Sequence, residues 1–338
     1  MRAALFHEQG KELERAEIER PKPGPGEVVV KVEAAGVCGT ELHFLEGLLA
    51  PAKTPIVLGH EVAGTVAELG EGVSAVSPGE SVAVHYFHPC SLCAQCRSGR
   101  EHLCDRPRGF LGFVTDGGFA EYVLVPETAL VPIPDGLSFE QAAPLCCSAT
   151  TALHALGVSG LGLGHTAVVY GCGGVGLQLV QVLRLAGVRV LAVSRTREKL
   201  ELASKLGAEV AINAGSEPVA DRVREATGGR GADAVFELVG SAESMREALG
   251  SLAKAGALVF VGYSFDRIEL NPLELVVPET RILTSVGNTY LELVEVLDLA
   301  ARKLIQPVVH EVAPLEEANR VLEDLRAGRV VGRAVLRP

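Results

Sequence analysis

The stretch Ala167-Val168-Val169-Tyr170-Gly171-Cys172-Gly173-Gly174-Val175-Gly176 decides the architecture of this chain. Four apolar residues read as a short buried strand, the pattern G-x-G-x-x-G follows at once, and residues 177–186 continue as a helical run. Glycines at such a turn let the backbone approach a pyrophosphate, which sits at the free N–H groups of the helix N-terminus. The glycine pattern alone is a weak signal. The strand before it and the helix after it make it a dinucleotide fingerprint, with Gly171, Gly173, Gly174 and Gly176 in the turn.

Downstream, strand-like runs recur at 188–193, 209–212, 234–238 and 257–261, with helical stretches such as 197–206 between them. This alternation predicts a parallel, doubly wound α/β sheet. Upstream, to about residue 135, the chain reads as β. Residues 28–32, 61–69, 81–84 and 121–125 are β-branched or alternating runs, punctuated by turns such as Pro21-Lys22-Pro23-Gly24-Pro25-Gly26. Ser138, with Gln141 three residues on, reads as a helix N-cap with its box. Beyond about residue 287 come a helix at 291–304, then strand, helix and strand.

Nucleotide-binding sheets of this kind place an acidic residue about 20 residues past the glycine turn, at the end of the second strand, to accept from the ribose hydroxyls. Here Ser194 takes that place, followed by Arg195, Thr196, Arg197 and Lys199. A carboxylate would repel a 2′-phosphate, and Ser194 does not. Arg195 offers a planar fork of donors matched to phosphate. The expected cofactor is therefore NADP, with NAD also accepted. The plainer alternative is that Ser194 caps the next helix and the cations only begin it.

A chain of 338 residues suits two domains, and 48% hydrophobic with 22% charged residues is ordinary for a globular core. A net charge of -11 argues against a nucleic-acid partner. No apolar run suggests a membrane span or a secretory signal, so a cytoplasmic setting is expected. The eight cysteines then call for a reason other than disulfides.

Four of them, Cys90, Cys93, Cys96 and Cys104, follow C-x2-C-x2-C-x7-C. Thiolates two residues apart close onto one metal from a tight turn, and the fourth completes a tetrahedron. A closed zinc site with a structural role is the first reading. Ferredoxin-type clusters begin alike but continue with three residues and Cys-Pro, absent here. Cys38, His60 and Cys147 are less marked. Each alone reads as a buried apolar cysteine or a hydrogen-bonded core histidine. Together, Cys2His with an open position is a known catalytic zinc set.

The chain resembles the zinc-containing alcohol dehydrogenases of the medium-chain dehydrogenase/reductase family over essentially its whole length. The resemblance rests on Pro23-Gly24-Pro25-Gly26-Glu27-Val28, Gly36-Val37-Cys38-Gly39-Thr40, Gly59-His60-Glu61-Val62-Ala63-Gly64, the four-cysteine lobe, Gly118-Phe119-Ala120-Glu121-Tyr122 and Gly171-Cys172-Gly173-Gly174-Val175-Gly176, in the family's order. It implies a GroES-like β-rich catalytic domain at 1–149 and 287–338, carrying the zinc lobe at about 88–106. A Rossmann domain would occupy 150–286.

It further implies a catalytic zinc held by Cys38, His60 and Cys147, with Glu61 a neighbouring or exchangeable ligand. Cys147 rather than Cys146 is the ligand because the family places it four residues before a threonine that supports the nicotinamide, here Thr151. Where the family has Asp three residues after the first zinc cysteine, this chain has Glu41, whose extra methylene alters the reach to the histidine. Thr40 and His43 match the family's proton relay, Val175 packs the nicotinamide, and Arg333 reaches the pyrophosphate. Zinc would acidify the alcohol, and a hydride would pass to the nicotinamide. Two zinc ions per chain, a small alcohol and its aldehyde or ketone, and a homotetramer pairing through the strand at 257–261 with its following segment are the further expectations. The rival readings are a polyol or threonine-type amino-alcohol dehydrogenase, which Cys147 disfavours, and a catalytically silent cofactor-binding protein on the same fold. Tyr86 is the one specific candidate for the substrate pocket.

Overall fold

A computed structural model describes residues 1–338 and divides the chain into two compact units. One comprises Met1–Thr150, Asn288–Lys303 and Pro307–Pro338; the other comprises Thr151–Gly287 and Leu304–Gln306.

The first unit is built on the long strand Glu27–Val37. Its Val28, Val29 and Val30 are all buried, so this strand is covered on both faces and β-branched residues suit it. It pairs antiparallel with Glu61–Leu69, with Tyr122–Pro126 along its first half and with Arg333–Arg337 at its end. Ser81–Val84, Leu130–Pro132 and Val309–Pro314 extend the sheet to seven strands. The helix Phe139–Leu145 packs against Glu27–Val37 and Glu61–Leu69. It starts where the sequence predicts: Ser138 Oγ accepts from Gln141 N at 3.3 Å, and Gln141 Oε1 accepts from Ser138 N at 3.1 Å. Gly36 lies opposite Glu61 in the register, and a Cβ there would fall 2.0 Å from Glu61 Oε2. Glycine at 36 thus leaves room for a buried carboxylate.

The second unit is a six-stranded sheet in the order Val210–Asn213, Arg189–Ser194, Thr166–Tyr170, Ala232–Glu237, Leu252–Phe260, Arg281–Thr284. Every pairing is parallel. Thr166–Tyr170 is buried at every position, as a central strand covered on both faces must be. The chain runs outward from it to one edge and then returns to the other side. The reversal lies between Thr166–Tyr170 and Ala232–Glu237, which is where doubly wound sheets open a ligand crevice.

One expectation is corrected here. The strand expected at 257–261 is part of Leu252–Phe260 and is paired on both sides, so it has no hydrogen-bonding edge left for another subunit. The edges of the sheet are Val210–Asn213 and Arg281–Thr284. No helix is long and apolar enough to cross a membrane.

Candidate metal centres and dinucleotide site

Three chain segments converge in the first unit. Cys38 follows the strand Glu27–Val37 and is the N-cap of the helix Gly39–Leu45. His60 immediately precedes the strand Glu61–Leu69, and Cys147 follows the helix Phe139–Leu145. The ligating atoms of Cys38, His60, Glu61 and Cys147 all lie within 4.8 Å of one another, and all four residues are buried. Tetrahedral zinc with sulfur at about 2.3 Å needs donors roughly 3.8 Å apart, so the set is near coordination size.

The histidine is oriented from behind. Its Nδ1 donates to Glu41 Oε1 at 2.8 Å, while Glu41 Oε2 accepts from the backbone N–H of Cys38 at 2.8 Å. This arrangement fixes the proton on Nδ1 and leaves the Nε2 lone pair for a metal. The longer glutamate side chain therefore keeps the bond that an aspartate would make. The ring of His60 meets Tyr86 edge-on at 5.2 Å and Phe113 at 5.8 Å.

The charged groups of this buried site act on one another. A hydrogen bond from Cys147, the Arg333 charge and His60 hold the Cys38 thiol well below its ordinary range, against its burial. The thiolate is the metal-binding form. Cys147, the donor in that pair and itself buried, is pushed well above the usual thiol range. Burial pulls His60 down, but Glu41 and Cys38 outweigh it and raise it well above its ordinary value. Burial pushes Glu61 up to about 8 although Arg333 opposes it. Glu61 Oε2 is buried without a hydrogen-bond partner. A thiolate at Cys38, the Cys147 sulfur, an imidazole that frees its Nε2 lone pair on giving up a proton, and an unpartnered carboxylate oxygen are zinc-type donors, and the residues fit that ion.

Arg333 is drawn into the Cys38–Glu61 site. It is 5% exposed, donates from Nε to Glu61 Oε1 at 3.0 Å, and donates from Nη2 to Cys38 Sγ at 3.2 Å. Its guanidinium is the buried counter-charge of the Cys38–Glu61 pair rather than a surface group.

Thr40 and His43 lie one turn apart on the helix Gly39–Leu45, both half-buried. Thr40 Oγ1 is 3.6 Å from Cys38 Sγ. Burial holds the His43 imidazole below its ordinary value. Tyr86 is buried beside His60, and its hydroxyl accepts from Asn288 Nδ2 at 2.7 Å. Asn288 has no distinguishing sequence context, and only its contact with Tyr86 draws it to the site.

The four-cysteine lobe forms a second donor set, also within 4.8 Å. Its sulfurs stand 3.4 Å apart for Cys93–Cys96 and 3.9 Å for both Cys90–Cys96 and Cys93–Cys104. These separations are far beyond a disulfide of about 2.05 Å and match the edges of a zinc–thiolate tetrahedron. Backbone N–H groups point at the sulfurs, Cys93 N to Cys90 Sγ at 3.3 Å and Cys90 N to Cys104 Sγ at 3.3 Å. N–H donors from Leu92 and Cys93 pull the Cys90 thiol down to about 6.

In the second unit the glycine turn joins the strand Thr166–Tyr170 to the helix Gly174–Leu185, with Gly173 as its N-cap. Gly171 has φ +111°, and a Cβ on Gly176 would lie 1.9 Å from the Gly171 carbonyl oxygen. Val175 is half-buried in the first turn of that helix, and Thr151 is buried in the first turn of Ser148–Ser159. Ser194 ends the strand Arg189–Ser194 with its Oγ accepting from Thr196 N at 3.2 Å. Arg195 is exposed, whereas Arg197 is engaged by Glu201 at 2.8 Å. Lys199 is half-buried, and burial draws its ammonium below the usual value.

Known proteins carry the same plan. The alcohol dehydrogenase GroES-like domain family matches residues 24–135, and the zinc-binding dehydrogenase family matches residues 174–302. An alcohol dehydrogenase of Geobacillus stearothermophilus is 37% identical over 339 residues, covering 100% of this chain and 99% of that protein. An NAD-dependent alcohol dehydrogenase of Sulfurisphaera tokodaii is 36% identical over 348 residues, covering 100% of both. The crystal structure of the alcohol dehydrogenase of Aeropyrum pernix superposes with a TM-score of 0.94 at 33% identity, covering 100% of both chains. Full-length similarity at this level, with both domains matched in order, means that the chain belongs to the zinc-containing alcohol dehydrogenases of the medium-chain dehydrogenase/reductase family.

Proposed function

We propose that this protein is an oxidoreductase that interconverts a small alcohol and its aldehyde or ketone, exchanging a hydride with a nicotinamide nucleotide, NADP in preference to NAD. The observation that carries this reading is the buried set Cys38, His60, Glu61 and Cys147, with His60 already oriented by Glu41. Cys38, His60 and Cys147 would hold the catalytic zinc, with Glu61 beside them. Bound there, zinc supplies Lewis acidity toward a hydroxyl or carbonyl group. Arg333 keeps Glu61 Oε1 engaged at 3.0 Å, so that oxygen already has a partner within the site. Thr40 Oγ1, next to Cys38, accepts the proton that the alcohol loses, since a hydroxyl both accepts and donates. His43, one turn on, is a neutral imidazole near pH 7 and releases that proton to solvent.

Cys90, Cys93, Cys96 and Cys104 would hold a second zinc, with a folding role. Elemental analysis of metal-replete protein and a turnover assay over primary, secondary, aromatic and polyol alcohols test the reading together. Activity on none of these alcohols with either nucleotide would leave the silent-protein alternative standing.

The cofactor preference rests on Ser194 and Arg195. The Sulfurisphaera tokodaii relative is named NAD-dependent, so the preference is argued from these two residues and not from the family. A charge-assisted arginine–phosphate contact is worth about 1.5–3 kcal/mol, so kcat/KM should favour NADP by roughly ten- to a hundredfold. Ser194→Asp with Arg195→Ala should move the ratio toward NAD. Kinetics showing greater efficiency with NAD in the unaltered enzyme, or a ratio indifferent to the double substitution, would refute it.

The assembly proposed is a homotetramer in a reducing, cytoplasmic setting where the eight cysteines stay free. Support for association comes from the edge strand Arg281–Thr284, where Ile282 is 37% exposed, and from Val276 and Val277 before it, each 72% exposed. An unpaired edge beside apolar surface is a template for a second chain. Light scattering should report a particle of four 35.5 kDa chains; a stable monomer would contradict the proposal.

A further inference from the structure

The second unit holds a buried carboxylate with no part in the chemistry described so far. Glu237 is the last residue of the strand Ala232–Glu237 and is 0% exposed. No cation pairs with it. Its Oε1 accepts from Val239 N at 2.9 Å, Gly240 N at 3.0 Å and Ser244 Oγ at 2.8 Å, and its Oε2 accepts from Gly240 N at 3.0 Å. Both oxygens therefore act as acceptors, as an ionised carboxylate requires. The helix Ala242–Gly250 begins just beyond, and its N-terminus favours a negative charge at this place. Burying such a group is costly unless its hydrogen bonds are worth retaining.

What the carboxylate shapes is the turn Leu238-Val239-Gly240. Leu238 N donates to the Tyr170 carbonyl at 2.9 Å, joining the turn to the last residue before the glycine loop. A Cβ on Gly171 would lie 3.1 Å from Val239 Cγ2 and 3.3 Å from Leu238 Cβ, so the turn packs directly on that loop. Gly240 has φ +81°, and a Cβ there would meet the Tyr263 backbone at 2.7–2.9 Å. The turn is thus held in one conformation from below, from the glycine loop and from the neighbouring segment. It stands at the reversal of strand order, where the two loops flank the crevice.

We infer that Glu237 is a positioning residue for the nicotinamide nucleotide: its carboxylate folds the Leu238–Gly240 turn into the second wall of the crevice, opposite the glycine loop. This rests on the reading of the glycine loop as the dinucleotide site. Gln at 237 is nearly isosteric but turns an amide donor toward the Gly240 N–H, so the turn loses an acceptor while its packing volume is kept.

Fluorescence titration of the intact, zinc-replete enzyme with the reduced nucleotide tests the inference, alongside kinetics and thermal denaturation. E237Q should raise the nucleotide Kd about tenfold, the loss of one charge-assisted bond. Its kcat at saturating nucleotide should stay within about threefold, so that KM rather than kcat carries the effect. E237D, which keeps both oxygens, should recover part of the affinity. Kd within about twofold of the unaltered enzyme in a folded E237Q, or kcat falling while Kd holds, would overturn the inference. If E237Q does not fold, S244A decides: it removes one donor from the carboxylate, and a Kd raised about threefold supports the role while an unchanged Kd overturns it. An unaltered enzyme that fails to bind either nucleotide would instead bring down the dinucleotide reading on which the inference rests.

Discussion

Replacing Cys38 by serine should lower turnover by about three orders of magnitude and remove one zinc per chain while the four-cysteine lobe keeps its own. The metal's contribution to the barrier is several kcal/mol, and each 1.36 kcal/mol is a tenfold change in rate. Serine fits the space but is a poor zinc ligand, because its hydroxyl stays protonated where the Cys38 thiol is drawn well below its ordinary range. The substitution also leaves Arg333 Nη2, now 3.2 Å from the sulfur, without its thiolate acceptor in a buried site. Steady-state kinetics and elemental analysis on the same preparation provide the check. A variant with both zinc ions and near-full activity would remove Cys38 from the catalytic set.

Cys93→Ser should have the opposite signature: a large loss of stability with the chemical step comparatively spared. The lobe has almost no apolar core of its own. Its helix Ala94–Arg97 contains no buried residue, and Leu92 and Leu103 are exposed. What holds the segment is the donor set itself, and structural zinc sites contribute on the order of 10 kcal/mol to folding. Losing a ligand should lower the melting temperature by about 10 °C and open residues 88–106 to hydrogen exchange. The disturbance should reach the helix Tyr290–Ala301, because Glu101 in the lobe accepts from Tyr290 N at 2.8 Å. Unchanged melting and exchange in the variant would mean that the lobe stands without its metal.

Local chemistry was written legibly in the sequence. C-x2-C-x2-C-x7-C places four sulfurs within one loop, so residue spacing nearly dictates the donor geometry. G-x-G-x-x-G between a strand and a helix constrains a turn in which Gly176 must lack a Cβ, and the neutral, cationic pair Ser194-Arg195 is read directly at the end of the next strand. The capping box at Ser138 and Gln141 belongs to the same class of signal, since each partner lies within one helical turn.

Contacts between distant segments were not written there. Arg333 lies 295 residues from Cys38 and reaches it only because the strand Arg333–Arg337 pairs with Glu27–Val37. Strand pairing also sets its guanidinium against Glu61. Asn288 meets Tyr86 across 202 positions, and nothing in the local pattern marks it. Likewise, the apolar run at 257–261 identified a strand without telling whether that strand was central or at the edge. Periodicity reports which faces are buried, whereas the order of strands in the sheet decides which backbone groups remain unpaired. The sequence alone therefore determined the fold class, the four-cysteine donor set and the nucleotide turn, because short-range patterns govern each, whereas Cys38, His60 and Cys147 were joined into one set only by the family resemblance. Tertiary structure alone decided how Glu41 orients His60, where the Arg333 charge is placed and which strands form the edges, because those depend on groups that only the folded chain brings within hydrogen-bond range.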